Sequence, residues 1–371
     1  MTLNSKITII GGGIIGLLTA KEFVQAGCQV TVIDKSLTGQ ESSWAGGGIL
    51  LPLYPWRQPP AISSLVLESI KNYACLAKEL YSSTGIDPEW LDCGLLISKN
   101  PDIELAIDWC KKHDIPYQAA EGSFFKSLNT QAVSPLWLPS IAQIRNPRLL
   151  KALKAFLLNK NVQIIEQCEI GKCDLENQSI VSLNTSKGKF KVEQLVISAG
   201  AWSKHLIKQL VSVQSLPSIS PVKGQMLLID AKPETLSHII LDGGHYLIPR
   251  HDGKILVGSS VEYNQFDKST SDSAKDLLYN FATELLPVLH NYPVIHHWAG
   301  LRPGTDQGIP YICKHSEIKN LSINAGHFRN GLAMAPASAK LLVDLVLDRP
   351  VNIDPEPYQL KVIDSNINKT L

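Results

Sequence analysis

Gly11, Gly13, Gly16 and Asp34 stand at the spacing of a dinucleotide-binding unit. In Gly11-Gly12-Gly13-Ile14-Ile15-Gly16 each of three glycines has its own task. Gly11 suits a tight turn, Gly13 lets backbone approach a diphosphate, and Gly16 lets a helix lie close on the strand before it. The helix start, with Ile14 and Ile15 in its first turn, offers N–H groups and a positive dipole end to the diphosphate. Asp34, followed by Lys35, is placed to accept hydrogen bonds from the adenosine ribose hydroxyls. A glycine-rich turn without a ligand would leave that acid unexplained.

A second set of chemically capable residues lies far along the chain. Arg302 is expected in a Pro-Gly turn after a strand, within Ala299-Gly300-Leu301-Arg302-Pro303-Gly304-Thr305. A planar guanidinium there can clamp a carboxylate through two parallel hydrogen bonds. The alternative for Arg302 is a structural ion pair, for instance with Asp306. Tyr246 begins the strand YLIPR and can donate its hydroxyl to the same carboxylate, or pack as a core tyrosine. No general base stands out. His245, His327 and the pair His296-His297 are discounted as bases, and the pair has no third ligand at metal spacing, so no metal site is expected.

The elements that must position these residues follow from short-range pattern. Lys6 to Ile10 is a β-branched run suited to a buried parallel strand, and LLTAKEFVQ has helical apolar spacing. Gln29 to Ile33 closes the βαβ unit on Asp34. Three consecutive glycines and the continuing unit argue against a signal peptide. Ser42 to Gly48, with Ser42, Ser43, Gly46, Gly47 and Gly48, can wrap a cofactor closely. The apolar residues Trp44, Ile49, Leu50, Leu51, Tyr54 and Trp56 that follow imply a packed segment, although four prolines keep it irregular. Helices are expected over 61–83, 102–113, 148–159, 272–286 and 332–347, and strands over 92–100, 162–166 and 321–324. The strand 194–198 enters Ala199-Gly200, small residues of the kind a sheet presents to a ligand at its carboxyl edge. From Pro221 the texture changes to VKGQMLLID, HYLIPR and KILVGSS, with a hairpin at Arg250 to Gly253. Val261 is expected in a strand, where a larger side chain would narrow a pocket.

Length and composition set the frame. The 371 residues imply two domains, and 44% apolar with 19% charged residues suits a globular enzyme. The expected division is a discontinuous nucleotide domain (1–85, 146–215 and 300–371) and an inserted antiparallel-sheet domain (86–145 and 216–299). Lysine plus arginine is 35 against 34 acids, a net charge of +1, so no basic surplus points to nucleic acid. No apolar run reaches the roughly 18 residues of a membrane helix. Seven cysteines without a C-x-x-C pair form no disulfide framework, and the cytoplasm is the expected compartment.

The βαβ unit, the SSWAGGG run from Ser42, PVKGQ from Pro221, AGLRPGT from Ala299 and GHFRNG from Gly326 occur in this order. In this the chain resembles the flavin-dependent D-amino-acid oxidase family, and within it the glycine oxidases linked to thiamine biosynthesis. The resemblance covers essentially the whole chain. It implies an α/β fold of glutathione-reductase type with an α+β second domain. It also implies a non-covalent FAD, and oxidative deamination of small amines that bear a carboxylate. Glycine, sarcosine or a D-amino acid would give imine, then keto acid and ammonia, with oxygen reduced to peroxide. Hydride would pass from Cα to flavin N5, so alignment rather than a base does the work. It further implies cofactor contacts at Ile170 and across His327, Phe328, Arg329, Asn330, Gly331 and Leu332. Arg329 is similar to an arginine that faces the active site in glycine oxidases, and a flavin-supporting or solvent-facing place is equally open. A helix start after GHFRNG favours the negative charge of a reduced flavin, which a nicotinamide does not offer. Cys313 lies too near the following strand to match the covalent flavin cysteine of sarcosine oxidases. A homo-oligomer, tetrameric by resemblance, is implied. Two other functions fit less of the pattern: a D-amino-acid or sarcosine dehydrogenase with another electron acceptor, and a flavin domain acting in tRNA modification.

Overall fold

In a computed structural model of the chain, residues 5–263 and 266–360 are described. They form two compact units, one from 5–40, 153–220 and 303–360, the other from the described residues of 41–152 and 221–302.

The first unit is built on a six-stranded sheet. Its strand order is Tyr311–Lys314, Leu321–Ala325, Gln194–Ile197, Lys6–Ile10, Gln29–Ile33, Gln163–Ile165. Five of these strands run parallel and the edge strand Tyr311–Lys314 is antiparallel to its neighbour. The β-branched runs that marked the strands are buried at Ile7, Ile9, Val32 and Ile33, as a sheet covered on both faces requires. Strand 194–197 pairs directly with the first strand, Ile197 opposite Ile10. Helix Ile14–Gln25 packs against helix Gly331–Val346. Strands Ile170–Glu176, Ser179–Thr185 and Gly188–Lys191 make a separate antiparallel sheet, and its second hairpin turns at Ser186-Lys187.

The second unit centres on a nine-stranded, mainly antiparallel sheet. Strands Glu262–Tyr263, Ile219–Ile229, Ile255–Gly258, His245–Pro249, Ile239–Asp242, Leu95–Ile97, Leu136–Leu138 and Gln118–Ala119 follow in order, and Val294–Thr305 also pairs with Ile219–Ile229. Helix Asp272–Leu285 covers one face, burying Leu278, Ala282 and Leu285 against Leu227, Leu247, Ile255 and Val257. The Ser271 side chain caps that helix by accepting from the Ala274 amide. Helix Pro60–Thr84 starts on a proline, whose missing N–H is an orphan there anyway, and stops at Gly85 with φ +69°.

Four expectations are corrected. Residues 41–85, expected with the nucleotide domain, group with the second unit. There the Asn146 amide donates to Ser43 O, Leu50 N–H to Ala142 O, and Trp109 Nε1–H to Ser63 Oγ. The buried Leu50, Leu51 and Tyr54 were a sign of packing, but could not say against what. Arg302 lies inside strand Val294–Thr305 rather than in a turn after it. That strand pairs with Ile219–Ile229 and itself lies off the main path of the sheet, a place where a proline such as Pro303 is tolerated. Val261 sits between strands, 37% exposed. The run 92–100 is broken into Leu91–Asp92 and Leu95–Ile97 by Gly94 at φ +73°. Residues 361–371, expected in the nucleotide domain, lie outside the described residues.

Candidate functional site

In the first unit the glycine loop is held from two sides. A methyl group on Gly16 would stand 1.9 Å from Gly11 O, so only glycine lets the helix start this close to the strand end. Gly11 itself has φ +111° and donates its N–H to Ile33 O. Gly13 provides no side-chain cap for helix Ile14–Gln25, so an acceptor from outside the helix suits its first turn. Asp34 is engaged within the protein itself. Its Oδ2 accepts from Gly12 N–H and its Oδ1 from Ser36 N–H, each at 2.7 Å. It therefore ties the loop to the end of the second strand. Glu166 anchors the next segment by accepting from Thr38 N–H at 2.7 Å and from Lys154 Nζ at 2.6 Å. Neither Thr38 nor Glu166 was singled out in the sequence, because each acts through a partner more than a hundred residues away.

The other residues expected to touch a cofactor here are placed as follows. Ala199 and Gly200 follow the buried strand 194–197, with Gly200 at φ +54° and open space where a Cβ would be. Ile170 begins its strand half-buried, and Lys35 makes an exposed ion pair with Glu169 at 3.3 Å. His327 is 3% exposed, and burial holds its imidazole down at about 3, so the ring is neutral. Its Nε2 and the Ser198 hydroxyl are buried without a hydrogen-bond partner among the described residues. Phe328 to Asn330 form a short turn that leads into helix Gly331–Val346, which has no side-chain cap. Arg329 is exposed, its guanidinium carbon 5.5 Å from the Phe328 ring centroid. A glycine cradle, two uncapped helix starts, an anchored acid and orphaned buried polar atoms fit a dinucleotide that carries a flavin.

In the second unit Arg302 and Tyr246 meet around two adjacent residues. Arg302 donates to Ser259 Oγ at 2.8 Å, to Ser260 O at 3.3 Å and to Lys223 O at 3.4 Å. Its guanidinium lies flat on Gly224, where a methyl group would stand 2.2 Å from both terminal nitrogens. Tyr246 is 8% exposed, and a methyl on Gly258, the residue before Ser259, would stand 2.7 Å from its hydroxyl. A methyl on Gly47 would stand 3.5 Å from the same hydroxyl. Among the described residues that hydroxyl reaches a weak acceptor, Met226 Sδ at 4.0 Å. The loop around Gly47 is fixed from behind. The buried Arg250 donates to Gly47 O at 2.9 Å and to Gln143 Oε1 at 2.6 Å. Gly46 and Gly48 flank it, with Ser42 and Ser43 in the short helix Ser42–Ala45. Asp306, considered as the partner of Arg302, takes a hydrogen bond from Ser218 Oγ.

Fold and site together define an oxidoreductase that carries FAD. The chain belongs to the FAD dependent oxidoreductase (DAO) family, which it matches over residues 6–345. It is 40% identical to the glycine oxidase of Pseudomonas aeruginosa, across 96% of this chain and 98% of that one. The glycine oxidase of Pseudomonas putida is 41% identical with the same coverage. Among solved structures, glycine oxidase from Geobacillus kaustophilus superposes with a TM-score of 0.89 at 27% identity, covering 97% of this chain and 99% of that one. The cofactor is FAD, and no described helix is long and apolar enough to cross a membrane.

Proposed function

We propose that this protein is an FAD-dependent oxidase of small amino acids, with glycine as the first candidate and sarcosine and D-amino acids as further ones. The observation that carries the reading is the pairing of Arg302 and Tyr246 around Gly258-Ser259, a cation and a hydroxyl donor on one wall. Arg302 would bind the substrate carboxylate, and Tyr246 would donate its hydroxyl to the same group. Holding the carboxylate fixes the Cα–H bond in direction, which is most of the catalysis when the amine is bound neutral. FAD, when bound, accepts the two electrons of that C–H bond with its hydrogen and returns them to oxygen as peroxide. The amine nitrogen forms the C=N bond and water then releases keto acid and ammonia.

In the first unit Gly11, Gly13, Ile14, Ile15 and Gly16 would hold the diphosphate, Asp34 and Lys35 the ribose end, and Ile170, Ala199 and Gly200 the adjoining part. His327 to Leu332 would serve the flavin end, with Arg329 either there or toward substrate. Ser42, Ser43 and Gly46 to Gly48 are assigned to the same cofactor by the family pattern. Similarity to the two Pseudomonas glycine oxidases supports glycine as substrate. Provision of the glycine imine for thiamine thiazole synthesis belongs to this proposal. It is supported by 29% identity to the bifunctional protein ThiO/ThiG of Synechocystis, of which the chain spans 53%. A homo-oligomer and a reducing cytoplasm complete it, the latter supported by seven unpaired cysteines.

The test is to mix the yellow protein with glycine, sarcosine and D-alanine without oxygen and watch the flavin absorbance bleach. Readmitted oxygen should restore the colour and give one peroxide per imine. Bleaching with no peroxide would mean another electron acceptor. No bleaching by any amino acid would overturn the reading. Acid precipitation should leave free FAD in solution, since Cys313 is wholly buried and its thiol is pushed up to about 11 by burial.

A further inference from the structure

Behind Arg302 stands a polar cluster that neither the sequence motifs nor the family match assigns. Gln225 is fully buried one residue beyond Gly224, the residue on which the guanidinium lies. Every polar group of Gln225 is engaged. Its backbone N–H donates to Ser260 Oγ at 2.9 Å and its carbonyl accepts from Ser260 N–H at 3.2 Å. Its Nε2 donates to Glu262 Oε1 at 2.8 Å and Ser271 Oγ at 3.2 Å, while its Oε1 accepts from Ser271 N–H at 2.9 Å. Ser260 Oγ, having accepted from Gln225, donates onward to Glu262 Oε1 at 2.9 Å. Glu262 also pairs with Lys223 Nζ at 3.4 Å, and Lys223 Nζ reaches Asp267 at 3.0 Å.

The acceptors that orient Arg302 belong to this same cluster: Ser259 Oγ, Ser260 O and Lys223 O. We infer that Gln225 is a positioning residue for Arg302, acting through Ser260 and Glu262 to hold the Ser259-Ser260 acceptors in register. The physical case is one of rigidity. A guanidinium is useful as a two-pronged clamp when its plane is fixed, and here Gly224 and oxygens that include Ser259 Oγ, Ser260 O and Lys223 O, on two chain segments, help to set the plane. Those segments, 223–225 and 259–262, are joined by two bonds of the Gln225 backbone, its N–H to Ser260 Oγ and its carbonyl from Ser260 N–H. The Gln225 side chain adds Glu262 and the start of helix Asp272–Leu285. A buried amide satisfied at both ends gains little from being polar unless the register it fixes matters.

The inference rests on the carboxylate role proposed for Arg302, and the experiment separates the two. Peroxide formation is followed with glycine and with methylamine, in wild type, Arg302→Ala, Gln225→Leu, Ser260→Ala, and the double variant Gln225→Glu with Glu262→Gln. Gln225→Leu should raise the KM for glycine about tenfold, the scale of a loosened charged hydrogen bond, while kcat and flavin content change less than twofold. The double variant reverses the donor and acceptor sides of the same contact and should bring KM back to within about threefold of wild type. Ser260→Ala, a gentler change, should shift KM in the same direction and covers the case in which Gln225→Leu does not fold. Methylamine, having no carboxylate, should show no such pattern. If Arg302→Ala keeps the wild-type KM for glycine, the clamp itself fails and the inference with it. If Arg302→Ala loses glycine while Gln225→Leu and Ser260→Ala keep the wild-type KM, the clamp stands and the inference is wrong.

Discussion

At the scale of single residues, Arg302 and Asp34 carry opposite expectations. Arg302→Lys keeps a charge but loses the flat, forked geometry that rests on Gly224. The KM for glycine should rise on the order of ten- to a hundredfold, as befits one lost hydrogen bond to a charged group, with flavin content unchanged. Steady-state peroxide assays on both variants, with methylamine as the control, check this; Arg302→Ala should cost more. Asp34→Ala should weaken FAD, read by equilibrium dialysis, and leave turnover at saturating FAD nearly intact. The structure adds a second consequence. Because Asp34 accepts from the amides of Gly12 and Ser36, the apoprotein should also melt at a lower temperature. Unchanged apoprotein melting would mean that these two bonds contribute nothing net.

Among the elements, two close approaches by glycine lead to separable failures. Gly16→Ala forces a methyl to 1.9 Å from a backbone oxygen, so the helix must shift off the strand end. The expected product is folded protein with little bound flavin, seen in the ratio of visible to near-ultraviolet absorbance. Gly224→Ala instead pushes against a side chain, the Arg302 guanidinium, which can move aside. Flavin should stay bound while the KM for glycine rises at least as far as in Arg302→Lys. Loss of flavin in Gly224→Ala, or its full retention in Gly16→Ala, would contradict the assignment of each element to its task.

For the whole molecule, the buried neutral His327 sets a pH dependence. An unfolded histidine titrates near 6.5, whereas burial holds this one at about 3. Between those values the unfolded chain takes up a proton that the folded protein refuses. Stability is therefore whole above about pH 6.5 and falls as acid is added toward pH 3. Melting temperatures of wild type and His327→Asn, measured from pH 7 to pH 5, should converge as the pH drops. A parallel decline in both would assign the acid sensitivity to other groups.

What could be read from the chain alone was local. The unit from Lys6 to Asp34 was legible because its strand, turn, helix and strand are each fixed by neighbours within about thirty residues. Helix Pro60–Thr84 announced its ends in the same way, through proline and Gly85. Long-range packing decided the rest. Arg302 was visible as a candidate clamp, yet it was expected in a turn, and its strand is set by pairing with Ile219–Ile229. Its orienting oxygens lie 79, 42 and 43 residues away in sequence. The placing of 41–85 followed likewise from bonds to distant segments, such as Asn146 to Ser43 O and Leu50 N–H to Ala142 O, not from its own pattern. Periodicity encodes which side of an element is buried, whereas the partner it is buried against depends on the rest of the chain. The sequence alone therefore determined the βαβ unit and named Arg302 and Tyr246 as carboxylate-binding candidates, and tertiary structure decided that they reach the adjacent residues Ser259 and Gly258, with Gln225 buried behind.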